Sequence, residues 1–266
     1  MSHFTVLVIN NETDDVEYDL APFSENVEKG DDFAEFISDG TIKHFEDEWK
    51  NGVEKDNYSD VEEYISDYYG YDIHNGEVGY WGNPNAKWDW YQIGGRWAGE
   101  IVIKDDIDIN VFAPNFSYGW SEEEKIKMMS KPKRVTDQAQ AKYIDWKYMF
   151  NQEDKRNYHN RFWELFIEEQ EPITDEDKEM IKHIWYDKEY FTETYKDKET
   201  YVKCMTSFST FAVLLDGKWI GKGDMGWFGI SSESADEDLN WQLNFYDNFI
   251  KDIDPNAYVT VVDCHI

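Results

Sequence analysis

HFTVLVI, residues 3–9, opens the chain, and AYVTVVDCHI, residues 257–266, closes it. Both runs are dominated by β-branched and aromatic residues, the composition of a buried strand. Working inward from the C-terminal run, the turn Asp254-Pro255-Asn256 is preceded by residues 234–251, where Leu239, Leu243, Tyr246 and Ile250 recur at helical spacing. Before that, SFSTFAVLL at 207–215 meets Asp216-Gly217, a strong hairpin signal, and Lys218–Gly221 forms the return. Strands at both ends, a hairpin and a crossing helix predict an α+β fold: a small antiparallel or mixed sheet formed by both chain ends.

The middle reads as helix. Residues 136–150 (Ala139, Tyr143, Trp146, Phe150), 153–170 (Tyr158, Phe162, Leu165, Phe166) and 174–186 (Met180, Ile181, Ile184, Trp185) each carry an apolar stripe, and 198–205 suggests a further short helix. A helical insertion at about 115–205, packed over the sheet, follows from these. Nearer the N-terminus, 31–49 places Phe33, Phe36, Ile37, Phe45 and Trp49 at roughly helical spacing. Ser59 with Glu62 suggests a capping box for a helix that Gly70 ends. Ser121–Glu124 suggests another, and Glu100–Lys104 reads as a strand. No repeat, linker or low-complexity tract divides the chain, so one α+β domain over 1–266 is expected.

Twelve Trp, 18 Tyr and 16 Phe in 266 residues supply a core despite a formal net charge of −31. That charge disfavours nonspecific nucleic-acid or anionic-membrane binding. It fits either a solvated acidic surface or one that imitates DNA phosphate. Only Cys204 and Cys264 are present, which implies reduced thiols in a cytoplasm and no disulfide scaffold. The start MSHFTVLVIN lacks signal-peptide features, and no run approaches the ~18 apolar residues of a membrane span. Charge is segregated: residues 1–80 carry 22 Asp/Glu against four Lys, whereas 125–161 carry ten Lys/Arg against four acids. Such a basic island either pairs internally or binds an anion.

The densest constellation is Lys87-Trp88-Asp89-Trp90-Tyr91-Gln92-Ile93-Gly94-Gly95-Arg96-Trp97. Aromatic faces, a glycine pair that permits close backbone approach, and a bidentate Arg96 suit a nucleotide-like anion. The same residues equally suit a tightly packed corner with Arg96 in an ion pair. A ligand cleft would combine Lys87, Trp88, Trp90, Tyr91, Gly94, Gly95, Arg96 and Trp97 with Lys131, Arg134 and Lys142 of the basic island and Trp227 of the glycine loop 221–229. No Walker-type GxxxxGK[ST] loop exists. His3, Asp263 and His265 would converge as an acid–base group or metal ligands if the terminal strands are neighbours, though strand-end polar residues are ordinarily solvated. No metal or cofactor is assigned, because HExxH, paired CxxC and GxSxG are absent.

MSHFTVLVIN at 1–10, NPNAKWDWYQIGGRW at 83–97, DQAQAKYID at 137–145, TFAVLLDGKW at 210–219, MGWFG at 225–229 and TVVDCHI at 260–266 together resemble a family of accessory proteins of tailed bacteriophages. Phe228 departs from that pattern, where a second Trp is common. The resemblance implies a viral protein made in a host bacterial cytoplasm, acting on host machinery or host defence, and it supplies no reaction. Expected partners are therefore a small anionic nucleotide-like ligand, sequestered from a defence system, or a host defence protein occupied by the acidic face. A nucleotide hydrolase using Asp263, His265 and His3 is a third expectation, and an oligomer is left open.

Overall fold

The computed structural model describes residues 2–10, 16–53, 56–107, 109, 112–117, 119–130 and 133–266, without the side chains of Asp154 and Trp227. Its strands are β1 (His3–Asn10), β2 (Glu35–Thr41), β3 (Asp72–His74), β4 (Glu77–Gly82), β5 (Trp90–Ile93), β6 (Ile101–Val102), β7 (Val135–Thr136), β8 (Gln138–Gln140), β9 (Ala212–Leu215), β10 (Lys218–Gly221) and β11 (Tyr258–His265). The α-helices are α1 (Val16–Leu20), α2 (Ile42–Asn51), α3 (Val61–Glu63), α4 (Glu122–Met129), α5 (Trp146–Met149), α6 (Glu153–Phe166), α7 (Asp175–Met180), α8 (Lys188–Tyr195), α9 (Lys198–Thr206) and α10 (Ala235–Phe245). No described helix is long and apolar enough to cross a membrane. The chain divides into two compact units, residues 1–19 with 91–266, and residues 20–90.

In the first unit both chain ends meet in one mixed sheet, ordered β10-β9-β1-β11-β5, with β8 also on β11. β1 and β11 are antiparallel along their whole length, from His3 opposite His265 to Asn10 opposite Tyr258. β9 joins β1 in parallel, and the Asp216-Gly217 turn folds β10 back antiparallel onto β9. On one face Leu7, Ile9, Val259 and Val261 are fully or almost fully buried against Ile101, Ile103, Ile144, Phe208 and Phe245. At roughly 1.5–3 kcal/mol per large side chain removed from water, this face is the main source of cohesion in the unit. Pairing the two ends directly costs the closure of nearly the whole chain, a term that grows only logarithmically with length.

The helical middle is less continuous than its apolar spacing predicts. Residues 135–136 and 138–140 are strands with a bend at Asp137, 141–143 a 3-10 turn, and only Trp146–Met149 are α-helical, where one helix over 136–150 is expected. β8 takes its place on β11 through the pairs Gln138–Thr260 and Val259–Ala139, so tertiary pairing overrides the local period. α6 matches its prediction and buries Phe162, Trp163 and Leu165, although Tyr158 lies half-exposed. α7 ends at Met180, and Trp185, expected inside, is 94% exposed. α4 carries the capping box Ser121–Glu124 that its sequence announces.

The second unit is a three-stranded antiparallel sheet, β2-β4-β3, with α2 and α3 over a small core of Phe45, Ile65 and Val78. Helix does not run through 31–49. Glu35–Thr41 is strand, and α2 begins after Thr41, whose Oγ1 accepts from the His44 amide. The strand must hug β4, because a side chain at Gly79 would overlap the Ile37 carbonyl. The cap before α3 is Asp60 rather than a Ser59–Glu62 box; Ser59 bonds to Glu63 instead. A π-helical turn continues α3 to Tyr69, and Gly70 ends it at φ +68°.

Candidate functional site

Alternation along β1 and the register of β11 place His3, Thr5, Asp263 and His265 on one face at the open end of the strand pair. His3 Nδ1 and Asp263 Oδ1 lie 2.7 Å apart. The carboxylate is 0% exposed and the imidazole side chain 16%. The His3 and His265 rings meet edge-on at 4.9 Å. A carboxylate removed from water needs strong donors. Asp263 receives a second one from the backbone amide of Arg96, at 3.0 Å to Oδ2. One buried acid therefore orients an imidazole and fixes the main chain of the Gly-Gly-Arg turn.

A second buried acid explains the rest of that turn. Asp137, at the junction of β7 and β8, accepts from the amides of Gly99 and Asn115. Burial pushes its carboxyl above the usual range, and those two amide bonds oppose the rise. A Cβ on Gly94 would collide with the Asp137 carboxylate. A Cβ on Gly95 would lie 2.5 Å from both Cβ and Oδ2 of Asp263. Both glycines adopt left-handed conformations, φ +75° and +60°, open to glycine at little cost. The Gly95 amide donates to the Asn115 carbonyl, and the Gly95 carbonyl accepts from Trp120 Nε1 at 3.1 Å. Arg96 itself is exposed.

The glycine loop is tied to the same end of the sheet, one residue away. Ser2 Oγ donates to the Gly226 carbonyl at 2.9 Å and accepts from the Gly229 amide at 2.6 Å. Between these anchors Phe228 sits at φ +63° and is 80% exposed. A bulky residue held left-handed by surrounding bonds is strained, by about 1–2 kcal/mol. At the base of the loop, half-buried Lys222 bridges Glu233 at 3.0 Å and Asp238 at 2.6 Å. Side chains 2 and 3 alternate, so the loop and the imidazole flank the strand from opposite faces.

The structure thus brings together His3, Asp263, His265, Gly94, Gly95 and Arg96, with Trp97 packed on the core behind them. Lys87, Trp88 and Trp90 belong to the 20–90 unit. There Trp88 is buried, its Nε1 donating to the Leu20 carbonyl at 3.1 Å, and the Lys87 amide bonds to the Phe23 carbonyl. Tyr91 is part of β5. Arg134 directs its guanidinium to the carbonyls of Lys104, Ile107 and Ile109, closing that loop. Lys142 bonds to Asn256 Oδ1 at 2.9 Å and covers the Tyr143 ring. Lys131 and the Trp227 side chain lie outside the described residues. Asp137, Ser2, Asn115 and Trp120 complete the knot without having been singled out; the glycine pair marks a point of close approach, but nothing local in the sequence names Asp137 as the approaching group.

Among the described residues no three His, Cys, Asp or Glu side chains cluster so as to hold a metal ion. No family model, curated protein or solved structure matches the chain.

Proposed function

We propose that the chain binds a small anionic, nucleotide-like ligand at the open end of the β1–β11 pair, and that in an infected cell it withholds this ligand from a host defence system. The supporting observation is the fully buried Asp263, which bonds to His3, itself edge-on to His265, and also holds the Arg96 backbone amide, in a protein with charge −31. Arg96 binds two phosphate oxygens through its planar fork. His3 adds a donor whose ring orientation Asp263 fixes. The viral setting rests on the resemblance of the terminal and Trp-rich motifs. Titration calorimetry with a panel of mono-, di- and cyclic nucleotides tests the reading: Arg96→Ala abolishes binding while leaving the fold intact. Equal affinity in the variant overturns it.

The His3–Asp263 pair also favours a second reading, an acid–base hydrolase of a phosphorylated ligand. A carboxylate on Nδ1 sets the tautomer that a general base requires. Turnover of any bound nucleotide, lost in His3→Ala with binding retained, separates this from sequestration. Intact ligand after prolonged incubation counts against it.

A further inference from the structure

The ten Lys and Arg between 125 and 161 are an exception in an acid-rich chain. Five of them are committed internally: Lys125 to Glu122, Lys133 to Asp105 and Asp145, Arg134 to carbonyls, Lys142 to Asn256, and Arg161 to Asp177. Lys147 and Arg156 have no ion-pair partner among the described residues, and both line one groove of about 620 Å³ together with Asp145, Tyr148, Asn151 and Glu153. A volume of this size falls within the ordinary range for small-ligand sites, roughly 300–1,000 Å³.

The groove's acids are unequal. Asp145 is answered on both oxygens, by the Tyr148 amide at 3.1 Å and by Lys133 Nζ at 3.1 Å. Glu153 is exposed and has no cationic partner among the described residues. It is also the first residue of α6, a 14-residue helix whose N-cap, Gln152, makes no side-chain cap. The first-turn amides of α6 therefore lack an acceptor from the cap at the groove wall, and the helix dipole is positive there. Arg156 lies within the first turn, where a helical side chain leans toward the N-terminus and so toward this wall.

We propose that this groove is a second anion site, which takes a phosphate-bearing small molecule. Arg156 grips two phosphate oxygens, Lys147 supplies a point charge, and Asn151 with the opening amides of α6 supplies neutral donors. Glu153 opposes the ligand's charge and sets an upper limit on affinity. None of these residues belongs to the terminal-strand site, so either site can exist without the other.

The test is titration calorimetry with inorganic pyrophosphate on the full chain. Wild type binds, Lys147→Ala/Arg156→Ala weakens binding by at least about tenfold, and Arg96→Ala does not change it. Glu153→Gln tightens binding several-fold by removing a like charge. Lys147 and Arg156 are both exposed, so the double variant keeps the fold, which circular dichroism verifies. No pyrophosphate binding by wild type, or equal affinity in the double variant, overturns the proposal. Loss in Arg96→Ala alone also overturns it and assigns the anion to the terminal-strand site.

Discussion

Gly95→Ala is the substitution that most sharply tests the knot of buried carboxylates. An alanine held at φ +60° costs about 1–2 kcal/mol of conformational strain. Its methyl would also sit 2.5 Å from Asp263 Cβ and Oδ2, and the carboxylate has no solvent-filled space to move into, being 0% exposed. Displacing Asp263 breaks or lengthens its bonds to His3 and to the Arg96 amide, each a hydrogen bond to a charged group worth about 1.5–3 kcal/mol. Partial relaxation keeps one of the two, so the expected total is about 3–5 kcal/mol. Gly217→Ala is the control: it shares a left-handed φ of +70° but has nothing within 4 Å of its Cβ position, so it costs only the strain, about 1–2 kcal/mol. Urea unfolding followed by tryptophan fluorescence measures the difference between the variants. Equal destabilisation by both would refute the claim that Asp263 is what requires glycine at 95.

Three further outcomes follow from the same geometry. Arg96→Ala shifts the unfolding midpoint by less than about 0.5 kcal/mol, since Asp263 engages its amide and not its side chain, and ligand binding is what it removes. His159 of α6, bonded to the Tyr201 hydroxyl of α9, is held by burial at about 4, below its ordinary 6.5, with Lys155 adding to the effect. The unfolded chain therefore takes up this proton first, and stability falls as pH drops from about 6.5 toward 4. The full loss is at most about 3 kcal/mol, less what solvent screens; thermal unfolding at pH 7 and pH 4.5 of wild type and His159→Gln measures it, and identical slopes refute it. Burial pushes the Cys204 thiol up to about 11 and the Cys264 thiol well above its ordinary range, so neither reacts appreciably with iodoacetamide at pH 7.5 until urea unfolds the chain; rapid labelling of the folded protein contradicts this.

The terminal strands were legible because seven and ten residues of β-forming composition leave few alternatives, and the Asp216-Gly217 hairpin because its turn type demands those residues. The sheet's far side was not. Residues 136–140 have an apolar spacing compatible with helix, and only the pairing of Gln138–Gln140 with β11 makes them strand. Residues 35–41 failed for the same reason, Phe36 and Ile37 suiting either period until β4 decides. The convergence of His3, Asp263 and His265 needed one fact that composition withholds, the antiparallel register, and once β1 and β11 are neighbours it follows. The glycine pair was recognisable as a point of close approach, yet the approaching groups, Asp137 and Asp263, are 42 and 168 residues away in the chain, beyond the reach of any local pattern. Arg134 and Lys142 looked like ligand cations because sequence shows charge and not the backbone carbonyls and amide oxygen that engage it.

Native mass spectrometry of the chain purified from phage-infected, defence-carrying cells tests the central proposal most directly, with Arg96→Ala and Lys147→Ala/Arg156→Ala prepared alongside. The account predicts a small anionic mass on wild type that heating releases, that persists in the double variant and that is missing from Arg96→Ala. A bare wild-type chain, a co-purifying host protein with no small ligand, or the same adduct on Arg96→Ala would contradict it.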